Sequence, residues 1–350
     1  MKRLLPFALL AATAALLAAG CGSGSKNSTG STTTTATTTG SSTGSGAFKV
    51  GLNTDTGGLN DRGFNHLAYL GLKRAQAQLG VQTKVTLSAS TAEYVPNLAS
   101  LARQGYDLVI GVGFTEIQAL ETVAKQFPHT QFAIVDVSNA DEGSLPNVEG
   151  LLFKEQEVGY LAGYAAGLAA KDRGAHVVSS VGGEKQPPVD RYIAGFQAGA
   201  KAAAPGIQTL NAYSQDFNNQ AKCKEVALNQ IAAGSVVVFQ VAGGCGLGAL
   251  DAAREKNVWG VGVDADQGFL GPYVLTSAEK RVDTAVYDAI RDAKDGHFKG
   301  GKDAVYGLDK GGVGLGRFSP KTPAGIEIKV DQIRKQIVDG KISDIPTTVK

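Results

Sequence analysis

Short apolar runs alternate along this chain with longer stretches whose apolar positions recur every three or four residues. Residues 48–53 read as a strand. Residues 64–79 read as a helix, with Leu67, Leu70, Leu72, Ala75 and Leu79 near helical spacing. The alternation continues with strands at 81–87, 108–112 and 132–136 and helices at 94–104 and 116–126. It then restarts. Helices are predicted at 155–170, 191–203, 220–233 and 248–256, and strands at 177–181, 207–212, 236–241 and 259–263. Strict β/α alternation implies parallel sheets with right-handed crossovers. Runs of four to six apolar residues fit strands buried on both faces. The expectation is an α/β body of two lobes, each a doubly wound, mostly parallel sheet flanked by helices.

In such sheets ligands sit beyond the carboxyl ends of the strands, so the residues there carry the functional reading. A polar, glycine-rich loop, Asn53 to Gly63, follows the first strand and opens a helix at Phe64. Free N–H groups at a helix start favour polar ligand atoms, although Asp and Asn are also ordinary turn and cap residues. Phe64 is an aromatic ring in a polar loop, suited to stacking on a flat ligand or to core packing. Asp136 ends one apolar strand and Asp264 another, with Asp266 two residues on. One carboxylate from each lobe, facing across a cleft, would accept paired N–H or hydroxyl hydrogens; capping of the next loop is the plainer alternative. Gly243 and Gly244 begin a glycine-rich loop that lets backbone approach a ligand. Read as Gly244-x-Gly246-x-x-Ala249, with Asp264 twenty residues on, it also resembles a dinucleotide loop. Lys280 and Arg281 are expected to open a helix near the lobe boundary.

The first residues change the picture. Lys2 and Arg3 precede an apolar stretch that ends in Leu17-Ala18-Ala19-Gly20-Cys21. That is the pattern of an export signal (residues 1–20) whose cut site is a cysteine to be lipidated. A membrane span is the weaker reading, because Leu4 to Ala19 is 16 residues and contains Pro6, and a span needs about 20. Residues 21–46 are nearly all Gly, Ser and Thr, too polar to fold and able to act as a leash of about 25–30 Å. The chain has 34 Lys plus Arg against 32 Asp plus Glu. Without Lys2 and Arg3 the balance is even, so charge offers no case for nucleic acid.

The four histidines are scattered, and Cys223 and Cys245 show no metal-ligand spacing, so no metal is expected. No Gly-x-Ser-x-Gly, phosphate loop of Walker type or nucleophile beside a base occurs. No catalytic residue and no cofactor are therefore assigned.

Taken together the loops resemble the basic membrane protein, or PnrA-like, family. It comprises substrate-binding lipoproteins of ABC importers for purine nucleosides. The matching segments run in order from Thr54–Asn65, Gln131–Asp136, Val148–Gly167 with Phe153-Lys154-Glu155, Phe239–Gly244 and Gly262–Gln267 to Thr276–Asp283. The resemblance implies a type I periplasmic-binding-protein fold with three crossovers and the ligand between the lobes. Residues 47–153 plus about 278–304 would form one lobe, and 154–277 plus about 305–350 the other. It implies that Phe64 stacks on the base and that Asp136 accepts from it. Asp264 would hold the ribose hydroxyls near Gly243 and Gly244, and Lys280 would donate to sugar or base. Asp55, Asn60 and Asn65 would complete the pocket, with Phe114 or Phe239 as a second stacking ring. The chain departs from the family pattern at Cys223, at Cys245 and at Ser179–Gly183, which lacks an aromatic.

Cys223 lies near a helix start and Cys245 just past the next strand, on one edge of the sheet. Outside the cytoplasm thiols oxidise, so a disulfide pinning the glycine loop is expected, against two separate buried thiols. The implied protein is a monomer, anchored by lipid on the extracytoplasmic face of the cell membrane, that delivers a nucleoside to an ABC permease. The alternatives are a nicotinamide-dependent oxidoreductase at Gly244–Ala249 and a ligand sensor for a membrane partner.

Overall fold

The strands Leu108–Val112, Val237–Val241 and Trp259–Asp264 are buried at every position, which is why these apolar runs are plain in the sequence. The computed structural model describes residues 46–349. The export signal, Cys21 and the linker up to residue 45 lie outside the described residues. Among the described residues no helix is long and apolar enough to cross a membrane.

The first run comprises β1 (Lys49–Thr54), α1 (Phe64–Leu79), β2 (Gln82–Thr86), α2 (Tyr94–Arg103), β3 (Leu108–Val112), α3 (Ile117–Gln126), β4 (Gln131–Val135) and β5 (Val148–Phe153). The second comprises α4 (Glu155–Asp172), β6 (Val177–Gly182), α5 (Pro187–Ala203), β7 (Gln208–Tyr213), α6 (Gln220–Ala232), β8 (Val237–Val241), α7 (Gly246–Glu255), β9 (Trp259–Asp264) and β10 (Val274–Lys280). The chain then returns through α8 (Val282–Lys294), β11 (Lys302–Tyr306), β12 (Val313–Leu315) and α9 (Ile326–Val338). The strands form two six-stranded sheets, in the orders β11-β5-β4-β3-β1-β2 and β12-β10-β9-β8-β6-β7. The first is parallel throughout. In the second only β12 runs antiparallel, beside β10. The two sheets make the two lobes of a type I periplasmic-binding-protein architecture.

Three differences from the sequence reading concern the returns. Lys280 is the last residue of β10, paired with Val313, and does not open a helix; α8 starts at Val282. Residues 278–280 therefore belong to the second sheet, because β10 keeps its pairing with β9 as far as Glu279 beside Asp264. Residues 305–306 belong to the first, because β11 pairs with β5 as far as Tyr306 beside Phe153. Helix α5 starts four residues early, at Pro187. Two prolines in its first turn suit positions whose N–H groups need no intrahelical partner.

The second lobe is fastened by backbone contact between α4 and α5. A Cβ on Gly163 would lie 1.9 Å from the Phe196 carbonyl oxygen, and one on Gly199 2.0 Å from that of Tyr160. Only glycine admits so close an approach. The rigid pair presents Tyr192 of α5 and Glu155 of α4 toward the boundary between the lobes.

Candidate functional site

A cavity of about 630 Å³, counted with its mouth, lies where the carboxyl ends of the two sheets face each other. Its lining comes from the loops after β1, β3, β4, β6, β7 and β8, from the last residues of β8, β9 and β10, and from α1 and α5. Of the residues expected to line it, Asp55, Phe64, Asn65, Asp136, Gly243, Gly244, Asp264 and Lys280 all do, and so does Phe114.

Two expected residues do not. Asn60 is exposed and lines an outer groove with Arg62 and Phe269. The loop turns here, with Arg62 at φ 55°, and it is Asp61 that points inward. Phe239 is fully buried between Tyr192 and Phe196, with ring centroids at 6.0 and 5.0 Å, so it belongs to the core. The second lobe contributes Phe217 in its place. Phe217 carries the same signal that singled out Phe64: an aromatic ring in a polar loop after a strand. Tyr192, by contrast, sits on an ordinary apolar helix face, and nothing local marks it.

Asp61 uses its carboxylate on the start of α1. It accepts from the backbone N–H of Gly63 (3.1 Å), Asn65 (2.7 Å) and His66 (3.1 Å). Three N–H groups at the helix start, those of Gly63, Asn65 and His66, are therefore taken. The Asn65 amide donates to Asp55 (2.7 Å) and Asp61 (3.2 Å), which fixes its orientation. Its buried Oδ1 then has no partner among the described residues. Asp55 Oδ1 also accepts from Gly57 N–H at 2.7 Å. Gly113, at φ 113°, leaves room for Asp55 and Phe64; a Cβ there would lie 3.2 Å from each.

Asp136 and Asp264 are nearly buried, and both adopt left-handed backbone, with φ of 72° and 64°. The Tyr192 hydroxyl lies 3.4 Å from both Asp264 and the Ala278 carbonyl and shares its one hydrogen between them, and no other donor among the described residues reaches the Asp264 carboxylate. Burial raises Asp264 to about 7, with Lys280 opposing and Asp136 and Asp61 reinforcing. Burial likewise raises Asp55 to about 6, against the hydrogen bonds from Gly57 and Asn65. Lys280 is 2% exposed. Its ammonium donates to both Asp136 oxygens (3.0 and 2.7 Å) and to Glu155 (3.4 Å). Burial opposes its charge, yet the surrounding carboxylates hold it above the usual lysine range.

The lobes touch over this cavity. The Lys280–Asp136 pair joins β10 to the end of β4, and the Asn218 amide donates to the Thr56 carbonyl at 3.2 Å. On the outer side the Arg62 guanidinium lies 5.7 Å from the Phe269 ring centroid.

Chemically the lining offers hydrogen-bond acceptors and aromatic faces. Four carboxylates (Asp55, Asp61, Asp136 and Asp264) accompany one ammonium. Such a site suits a flat ligand rich in N–H and O–H donors and repels phosphate. The glycines read as a dinucleotide loop have another use. A Cβ on Gly246 would collide with the Gln240 side chain, and one on Gly248 with the Gln220 carbonyl. They seat α7 against its neighbours.

Cys223 and Cys245 are joined, with Cα atoms 5.6 Å apart, within ordinary disulfide geometry. The bridge ties the first turn of α6 to the residue before α7, next to Gly243 and Gly244. Among the described residues no group of three His, Cys, Asp or Glu side chains is placed to hold a metal.

Two parallel-sheet lobes closing on a donor-seeking cavity define a solute-binding protein. The chain belongs to the family of PnrA-like ABC transporter substrate-binding proteins, whose model matches residues 48–347. It is 39% identical over 317 residues to the CD4+ T-cell-stimulating antigen of Listeria monocytogenes, covering 84% of this chain and 87% of that one. It is 36% identical over 319 residues to the ABC transporter nucleoside-binding protein BmpA of Lactococcus lactis, covering 84% and 88%. An ABC transporter solute-binding protein from Aeropyrum pernix superposes with a TM-score of 0.76 at 28% identity, covering 85% of this chain and 94% of that one.

Proposed function

We propose that this protein captures a nucleoside, a purine nucleoside foremost, between its lobes and delivers it unaltered to an ABC permease from a lipid anchor on the outer face of the cell membrane. The observation that carries the reading is the convergence of Asp136 and Asp264, one from each lobe, on a single cavity with Phe64 in its wall. Asp264, with one long hydrogen bond from Tyr192, has room for two vicinal hydroxyls of a ribose. Phe64 and Phe114 from one lobe and Phe217 from the other supply faces for a base. Asn65 Oδ1 and the outer oxygen of Asp55 accept further donors. The acidic lining favours the nucleoside over its phosphate esters and argues against a dinucleotide. Export through residues 1–20, lipid at Cys21 and the leash that follows would hold the body at the membrane. The lobes would hinge at the three passages after β5, β10 and β11.

The test is mass spectrometry of the compound that co-purifies with the protein, followed by calorimetric titration with inosine, guanosine and adenosine. A nucleoside at about 100 times its dissociation constant should add roughly 2.7 kcal/mol of stability. An unmodified nucleoside recovered after incubation is expected. A chemically converted product, or no stabilisation by any nucleoside, counts against the proposal.

A further inference from the structure

From the cavity wall inward, four charged side chains of alternating sign touch one another in series: Asp136, Lys280, Glu155 and Arg191. Asp136 belongs to the first lobe, and the other three belong to the second. Lys280 Nζ is 2.7 Å from Asp136 and 3.4 Å from Glu155, and Arg191 Nε is 2.6 Å from the other oxygen of Glu155. The series runs from the cavity wall out to a surface groove lined by Arg191. Glu155 is fully buried, and it does not line the cavity.

This arrangement is costly as a mere fastener. A buried pair is often no more stable than apolar side chains of the same volume, whereas a pair broken on one side is strongly destabilising. The ammonium of Lys280 has three hydrogens, and the three carboxylate oxygens around it use them all. The rings of Phe64, Phe153 and Tyr192, with centroids 4.8, 5.3 and 5.7 Å from Nζ, leave it little freedom. Its position in the series is therefore set by the balance between Asp136 in front and Glu155 behind. Glu155 in turn is held by Arg191. If Glu155 were absent, Lys280 would move onto Asp136 and compete with a ligand for its lone pairs. If Arg191 were absent, Glu155 would be free to draw Lys280 back from Asp136.

We infer that Glu155 and Arg191 are positioning residues for the ligand site: they hold Lys280 at the lobe boundary, where it orients Asp136 for the ligand and links lobe closure to binding. The inference rests on the reading of this cavity as the ligand site and adds two residues outside the cavity to its working parts.

Inosine affinity measured by calorimetry for Glu155→Gln, Arg191→Gln and the double variant provides the test. Positioning and simple charge make opposite forecasts. A field acting at a distance changes affinity in opposite directions when a negative or a positive charge is removed. Positioning weakens binding in both variants, about tenfold or more. The double variant should then fall short of the product of the two losses, because both act through Lys280. Glu155→Asp, which keeps the charge on a shorter side chain, should recover part of the loss. Losses below twofold in both single variants, or changes of opposite sign, overturn the inference. Small-angle X-ray scattering on ligand-free protein gives a readout that needs no nucleoside. Arg191→Gln, which lets Lys280 draw back from Asp136, should show a larger radius of gyration than the wild type, whereas Glu155→Gln, which leaves Lys280 on Asp136, should show one no larger; an unchanged radius in Arg191→Gln, or a larger one in Glu155→Gln, overturns the closure link. If the wild type binds no nucleoside, the proposed cargo fails while the scattering still decides the role of Glu155 and Arg191. Arg191 is partly exposed, so its variant serves if Glu155→Gln does not fold.

Discussion

Asp136 and Asp264 hold equivalent places in the two lobes: each ends a buried parallel strand, and each takes left-handed backbone there, at φ 72° and 64°. Side chains other than Gly enter that region at a cost of about 1–2 kcal/mol, and Asp and Asn enter it most readily. Such strain gathers at sites where a side chain must be aimed.

Asparagine tolerates the same backbone, so Asp136→Asn and Asp264→Asn separate aim from charge. Asp264→Asn should leave the melting temperature of the ligand-free protein at or above that of the wild type, whereas Asp136→Asn should lower it, because it takes the charge partner from buried Lys280. Each should also weaken nucleoside binding by roughly ten- to a hundredfold, since a hydrogen bond to a charged group is worth about 1.5–3 kcal/mol. Calorimetry on the two variants checks this; full affinity in both would remove them from the site.

The pH response should differ in sign between binding and folding. Burial raises Asp264 to about 7 and Asp55 to about 6, above their unfolded values near 4. The folded state therefore holds more protons than the unfolded state between about pH 4 and 7. The stability these groups contribute is full below that window and is lost as pH rises through it. Donor ligands need the ionised carboxylates, so nucleoside affinity should fall as pH drops from 8 to 5. Urea titrations and calorimetry at pH 5, 6, 7 and 8 would show the two trends, and parallel slopes would contradict the assignment.

Phe217 is the aromatic wall supplied by the second lobe. Phe217→Ala should weaken nucleoside binding by about tenfold or more, comparable to Phe64→Ala, with each ring worth about 1–3 kcal/mol of stacking. Phe239→Ala should instead unfold the protein at lower denaturant, by about 3–5 kcal/mol, because that ring is core. Equal binding by the wild type and Phe217→Ala would remove this wall from the site.

Cys223 and Cys245 close a loop of 22 residues in sequence separation. Replacing both by alanine should cost about 2–4 kcal/mol of stability. It should also loosen the Gly243–Gly244 loop, raising its backbone hydrogen exchange. Thiol titration of the denatured protein is expected to find neither sulfur free, and two free thiols would rule out the bridge.

The strands and helices of each lobe were legible because burial on both faces leaves an unbroken apolar run, as in Leu108–Val112, and burial on one face leaves a helical stripe, as in α1. Strand-end positions were legible for the same reason, which brought Asp136, Asp264 and Phe64 forward before any geometry was known. Local pattern says nothing about which sheet a strand joins. The return of β11 to the first sheet, the antiparallel seat of β12 and the place of Lys280 at a strand end are settled by pairing across more than a hundred residues in the first case. The same is true of convergence. Asp61 and Asn60 are neighbours of one polar type, and only the turn at Arg62 sends one inward and the other out. Tyr192 and Glu155 read as ordinary residues of two helices; Tyr192 reaches the cavity wall and Glu155 reaches Lys280 behind it because glycines let α4 and α5 lie backbone to backbone. Sequence determined the elements and their ends, since those follow from each residue's preference for water or for the core. Tertiary structure alone decided which ends face one another, since that depends on contacts between residues far apart in the chain.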